Sequence, residues 1–176
     1  MRLHRAVVST PIGDMLAMSS PDGLCALEFL GKAKRLPRLE RRLATWFPPH
    51  DVAEGDSPII ARTRAWLDRY FAGKSADVGS LTLDMRGADF ERRVWKALLR
   101  IQPGETTSYG AIAKQLGSAG AARAVGLANG SNPIAIIVPC HRVIGSNGSL
   151  TGYGGGLDRK TWLIDHERRW RRDSLF

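Results

Sequence analysis

Cysteine is scarce in this sequence. Cys25 and Cys140 are the only two among 176 residues. That is too few for a disulfide framework, so a reducing compartment is the simpler reading. Long apolar runs are missing too. The longest wholly apolar stretch, residues 134–138, falls far short of the roughly 20 residues that a membrane helix needs. The opening MRLHRAVVSTPIG carries no signal-peptide pattern. The expectation is a cytoplasmic protein with no membrane partner. Asn147-Gly148-Ser149 matches a glycosylation sequon, but without a secretory signal it is read as plain loop.

Acidic residues are also unevenly short. The chain carries 26 Lys and Arg against 17 Asp and Glu, a net charge of +9. Residues 1–84 hold a net of only +2, and residues 85–176 hold +7. One basic half points to a polyanion, nucleic acid before an anionic membrane surface. What is present is otherwise ordinary: 43% hydrophobic and 24% charged residues. That composition suits a folded globular chain and excludes a largely disordered one. No internal repeat or low-complexity linker appears.

The expected fold class is α+β. A small N-terminal sheet-plus-helix domain, residues 1–86, precedes a mostly helical C-terminal domain, residues 87–176, with a helix-turn-helix. Strand-like runs at residues 3–9, 15–19 and 24–30 are separated by Pro11-Ile12-Gly13-Asp14 and Pro21-Asp22-Gly23, which predicts a meander. A basic helix is expected over 33–47, a loop over 51–56, a helix over 58–71 and a last strand over 81–85. His4, Cys25 and His50 have no recognisable metal-site spacing, and Cys25 reads as a small core residue.

The second half is more informative. Phe90, Val94, Leu98 and Ile101 share one face of a predicted helix over 88–101. Ser108 can cap the next helix, with Tyr109, Ile112, Ala113 and Leu116 as its inner stripe and Gly117 as its stop. Ser118 can cap another over 119–129. Two short helices around a Gly-Ser turn form a helix-turn-helix pattern. Seven of the eleven residues 119–129 are Ala or Gly, and Arg123 is the only charge. Such a helix either packs tightly inside the protein or presses its backbone against DNA. Major-groove readers offer several polar side chains. This helix suits a sequence-tolerant minor-groove approach better.

Pro139-Cys140-His141-Arg142 then follows the apolar run. A thiol beside a proton acceptor and a cation, in a basic half, is favoured as thiolate. A bare Cys-His pair is otherwise an inert core feature. Leu163, Glu167 and Trp170 have i, i+4, i+7 spacing on the last helix, so Glu167 lies on an apolar stripe. Either it completes a Cys-His-Glu relay, or it pairs with Arg168 or another nearby arginine. The six glycines of residues 145–156, with Tyr153, suggest a binding loop, and without Gly-Lys-[Ser/Thr] it is no phosphate loop.

These pieces, in order, strongly resemble the O6-alkylguanine-DNA alkyltransferase (methylated-DNA–protein-cysteine methyltransferase) family. The resemblance runs through Phe90-x4-Trp95-x2-Leu98, Gly104-Glu105-x3-Tyr109 and Ala121-Ala122-Arg123-Ala124-Val125-Gly126. It continues through Asn132-Pro133, residues 137–144, residues 152–157 and His166-Glu167. The N-terminal half matches more loosely, at Ser9-Thr10-Pro11-Ile12-Gly13.

The resemblance implies an RNase H-like N-terminal domain. It implies DNA repair by stoichiometric transfer of the alkyl group from O6-alkylguanine, and from O4-alkylthymine, in duplex DNA to Cys140. His141 would be the base, acting through a water, and Glu167 its orienter. Asn132 would brace the nucleophile segment. Tyr109 would hydrogen-bond the guanine and help protonate it as it leaves. Arg123 would fill the stack after flipping, with Ser108, Ala121, Ala122 and Gly126 at the DNA. Val138, Val143, Tyr153, Gly154 and Gly155 would line the base pocket. Some relatives carry Ser where this chain has Gly154, which implies a roomier pocket and tolerance of larger alkyl groups. Some relatives bind zinc in the N-terminal domain, but the ligand set is not evident in this sequence, so no metal is expected. No cofactor and no obligate protein partner are expected either, and the chain is expected to be a monomer. The competing readings are a non-catalytic lesion sensor or helix-turn-helix regulator, and a Cys-His hydrolase.

Overall fold

The computed structural model describes residues 1–173. The chain forms two compact units, Met1–Arg86 joined by Pro133–Ala135, and Gly87–Asn132 with the chain from Ile136 on. The class is α+β, as its alternating and helical periodicities predict.

The first unit holds β1 (Arg2–Val8), β2 (Met15–Ser20), β3 (Gly23–Phe29), α1 (Arg35–Trp46), β4 (Asp51–Glu54) and α2 (Pro58–Phe71). The sheet order is β3-β2-β1-β4. The first three strands are the predicted antiparallel meander. All seven residues of β3 are buried, so both faces of this strand are covered. Cys25 joins Leu3, Met18, Leu39, Leu43 and Phe47 in one apolar cluster. Each large side chain buried there contributes about 1.5–3 kcal/mol. α2 starts where Ser57 accepts the Ile60 N–H at 3.2 Å and Pro58 opens the first turn.

Three expectations fail in this unit. Residues 51–54 are a strand and not a loop. β4 pairs in parallel with β1, Arg2 opposite Asp51 and Arg5 opposite Glu54. Its only non-exposed residue is Ala53, so the strand lacks the apolar alternation that reveals half-buried strands. Charge on such an edge also blocks pairing with another chain. Residues 81–85 form no strand, only one bridge from Leu83 to Leu24. Finally, residues 133–135 belong to this unit. Pro133 O accepts the Leu27 N–H at 2.9 Å, and Ala135 N–H donates to Leu27 O at 2.9 Å.

The second unit contains α3 (Asp89–Leu98), the two-residue strands β5 (Thr107–Ser108) and β6 (Val143–Ile144), α4 (Tyr109–Gln115), α5 (Ala122–Gly130) and α6 (Leu157–Asp173). α3 buries Val94, Trp95, Ala97 and Leu98, with Phe90 and Ile101 half-buried beside them. Trp95 Nε1 donates to Ala128 O at 2.9 Å, fastening α3 to α5. Ser108 caps α4 by accepting the Ala111 N–H at 3.1 Å. α5 begins later than residues 119–129 suggest, and Ser118 is not its side-chain cap. Gly117 and Gly120 both adopt left-handed conformations, φ +72° and +91°. They turn the chain through 117–121 before the helix can start. Among the described residues, no helix is long and apolar enough to cross a membrane.

Candidate active site

The segment before the nucleophile is buried without interruption from Ser131 to Val143. A buried peptide group must find a hydrogen-bond partner, and in a segment this irregular side chains supply several of the partners that a regular ladder would give. Asn132 Nδ2 donates to Val138 O at 2.7 Å. Asn129 Nδ2, from the last turn of α5, donates to Cys140 O at 3.3 Å. Lys160 Nζ, from the first turns of α6, donates to Val143 O at 2.6 Å and Thr151 O at 2.8 Å. Ile136 sits at φ +69°, a conformation that costs a β-branched residue about 1–3 kcal/mol. The pinned carbonyls around it hold that strained turn in place. Cys140–Arg142 form a single 3₁₀ turn, and Cys140 is 7% exposed.

His141 and Glu167 meet inside the unit. His141 Nε2 lies 2.7 Å from Glu167 Oε1. Arg142 donates to the same carboxylate, Nε to Oε2 at 2.9 Å and Nη2 to Oε1 at 2.8 Å. Gly104 N–H adds a fourth bond to Oε2 at 3.1 Å. Burial alone would raise the carboxyl pKa. The donors from His141 and Arg142 overcome it and hold Glu167 well below the usual carboxylate range. An ionised carboxylate only accepts, so the His141 proton is on Nε2. Burial lowers the imidazole pKa from its ordinary 6.5 against the pull of Glu167, and Arg142 and Lys160 lower it further. His141 is therefore neutral, and its Nδ1 lone pair has no hydrogen-bond partner. That atom is a base in waiting.

The remaining predicted residues fall on nearby elements. Tyr109 opens α4, and its hydroxyl accepts from Thr151 Oγ1 at 3.1 Å. A Cβ on Gly126 would stand 3.7 Å from the Tyr109 ring, so α5 passes close to this tyrosine. Arg123, Ala124 and Leu127 form the exposed face of α5, with Leu127 70% exposed. Ala121, Ala122 and Gly126 are half-buried. The Tyr153 ring is 6.5 Å from His141, edge-on. Val138 and Val143 are fully buried, Gly155 is buried and Gly154 half-buried.

Residues 89–169 match the family described as "6-O-methylguanine DNA methyltransferase, DNA binding domain", and residues 3–85 match its "ribonuclease-like domain". The chain belongs to this family. A methylated-DNA–protein-cysteine methyltransferase of Mycolicibacterium paratuberculosis is 51% identical over 158 residues, covering 90% of this chain and 94% of the relative. One from Shigella flexneri is 42% identical over 171 residues, 95% and 96% of the two chains. The crystal structure of Mycobacterium tuberculosis OGT in complex with DNA superposes with a TM-score of 0.79 at 44% identity, covering 97% of this chain and 94% of the other.

Within this methyltransferase scaffold, the structure corrects the role of Arg142. The sequence suggested a cation favouring the thiolate. Its guanidinium is instead committed to Glu167 and to Ile101 O at 2.5 Å. The alternatives for Glu167 merge: it holds both His141 and an arginine, but the arginine is Arg142 and not Arg168, which is exposed. Lys160 is the buried cation next to this turn, with its Nζ on Val143 O and Thr151 O. Burial pushes its ammonium pKa down, and Cys140 acts in the opposite sense. Lys160 and Asn129 escaped the sequence reading because their partners are main-chain carbonyls. The available signal was weak: a lysine three residues before Leu163 on the inner stripe of α6.

Proposed function

We propose that this chain is a DNA-repair alkyltransferase. It accepts, once per molecule, the O6-alkyl group of guanine in duplex DNA on Cys140. The observation that carries the reading is the grip of Glu167 on His141 Nε2, which leaves Nδ1 as a base in the turn that bears Cys140.

In the proposed reaction, Nδ1 takes the thiol proton through a water, and ionised Glu167 stabilises the imidazolium that forms. The sulfur attacks the saturated alkyl carbon. A C–S bond forms, the C–O6 bond breaks, and its electron pair stays with the purine. Tyr109 hydrogen-bonds that purine while it takes up a proton. Asn132 holds the Val138 end of the nucleophile segment. No free cofactor enters, because the DNA carries the group transferred. The thioether has no leaving group of comparable quality, so the reaction stops at one equivalent.

Reaching O6 inside a duplex requires the nucleotide to leave the stack. We infer that α4 and α5 act as the helix-turn-helix and approach the minor groove. Arg123 fills the gap, and the small residues Ala121, Ala122 and Gly126 admit the backbone, with Ser108 at the same face. The base then lies among Val138, Val143, Tyr153, Gly154 and Gly155. The same pocket takes O4-alkylthymine, and Gly154 leaves room for groups larger than methyl. The protein acts as a cytoplasmic monomer with alkylated duplex DNA as its partner. The first test is intact-protein mass spectrometry after mixing with O6-methylguanine duplex. The expected result is a gain of about 14 Da, the mass of one methyl group replacing a thiol proton, mapped to Cys140. Binding without a mass gain leaves a lesion sensor, and repeated turnover leaves a hydrolase.

A further inference from the structure

We propose that a groove along the C-terminal half of α6 binds the phosphate backbone of nucleic acid, as a contact separate from the one made by α5. The groove has a volume of about 520 Å³ and is lined by Gly104, Asp165, Arg168, Arg169, Arg171 and Arg172. Among the described residues, four guanidiniums thus face one carboxylate. Arg171 has a partner in Glu105 at 3.3 Å, with both side chains about half exposed. Arg168, Arg169 and Arg172 have no carboxylate partner among the described residues.

The helix dipole favours cations in a last turn, and this accounts for Arg171 and Arg172. It does not account for Arg168 and Arg169, which lie earlier, or for a concavity. The wall of that concavity is built. Gly104 turns at φ +81°, and a Cβ there would stand 3.0 Å from Arg171 Cδ. The floor is rigid. Lys160, Leu163, Ile164 and Glu167 anchor the opposite face of α6 in the core, so the arginines project from a fixed rod.

The chemistry selects the ligand. All four cations are arginine, although the chain holds six lysines. Guanidinium binds phosphate oxygens in pairs, where an ammonium acts as a point charge. Among the described residues, no apolar side chain lines the groove, which disfavours a lipid surface. The unit that contains it already carries most of the net charge. Nucleic acid is the polyanion long enough to reach a second site on it.

The test measures the affinity of the full chain for an unmodified 30-base-pair duplex against salt concentration. It compares the wild type with Arg168→Gln/Arg169→Gln/Arg172→Gln. Loss of three phosphate contacts lowers the salt slope by roughly 2–3 and the affinity by about tenfold or more. The single variant Arg169→Gln lowers the slope by about 0.9, and serves if the triple variant does not fold. Alkyl transfer from free O6-benzylguanine reports separately on the Cys140 site and stays unchanged in either variant. An unaltered salt slope in both variants overturns the proposal. So does loss of binding to polyglutamate with the DNA slope intact, which assigns the groove to an acidic protein. Because the DNA is undamaged, the result does not depend on the alkyl-transfer reading.

Discussion

Cys25 and Cys140 are both buried, at 1% and 7% exposure, yet they stand in opposite surroundings. Cys25 lies in β3 among Leu3, Met18, Leu39 and Phe47, and its Sγ donates to Met18 O at 3.4 Å. Burial, with Asp84 adding to it, pushes its thiol up to about 12. Cys140 lies in the turn that carries His141, whose Nδ1 is bare. Lys160 Nζ holds Val143 O just after that turn, and the Cys140 carbonyl is held by Asn129. Burial is common to both sites. What separates them is a polar network that can receive a proton at one and an apolar shell at the other.

The largest expected contrast is in transfer itself. Cys140→Ala abolishes the mass gain from O6-methylguanine duplex, whereas Cys25→Ala retains it. A methyl group mapped to Cys25 would break the comparison outright. Next is thiol reactivity in the native protein. At pH 8 only about one Cys25 in ten thousand is a thiolate, given a pKa near 12. Iodoacetamide therefore labels Cys140 first, and Cys25 follows only on unfolding; equal native rates would contradict this.

Glu167→Gln comes third. It lowers the single-turnover rate by roughly 100-fold or more. It also leaves Arg142 without its counter-charge, which costs about 3–5 kcal/mol. Urea denaturation reads the second effect, and a midpoint unchanged from wild type would remove Glu167 from its place at the centre of the network.

The fourth effect is on pH dependence. His141 has a lowered folded pKa, so as pH falls through 6.5 the unfolded chain binds a proton that the folded chain refuses. Stability falls there. Glu167 has a lowered folded pKa as well, so its contribution is present above 4.5 and is lost as pH falls below it. Denaturation midpoints between pH 7.5 and 5.5 should flatten in His141→Asn. Parallel curves would show that the imidazole is not held neutral. The smallest effect is that of Cys25→Ala, which removes one buried atom and costs about 1–2 kcal/mol by calorimetry without altering the transfer rate.

The same contrast explains what was legible in the sequence. The motif at residues 139–142 is contiguous, so its chemistry is written in neighbouring letters. Glu167 was legible because a carboxylate on the Leu163–Trp170 stripe is an anomaly. Asn129 and Lys160 were not, because a side chain that donates to a carbonyl leaves no complementary letter elsewhere in the chain. Arg142 was misread for a related reason. Its adjacency to Cys140 is visible, but its fork points to a residue 25 positions away. In the fold, the meander was legible from its turns and its apolar alternation. β4 was hidden by its charges, and the start of α5 by two glycines whose handedness the sequence does not state.

Gly104 gives the site a built-in spectator. Its amide hydrogen is spent on the same carboxylate oxygen that takes Arg142 Nε. Any event that loosens Glu167 must also release this hydrogen to solvent. Deuterium uptake at one backbone position, on a loop that supplies none of the reacting groups, therefore registers whether the buried relay is intact. A spent molecule whose alkylated sulfur disturbs His141 would announce itself there.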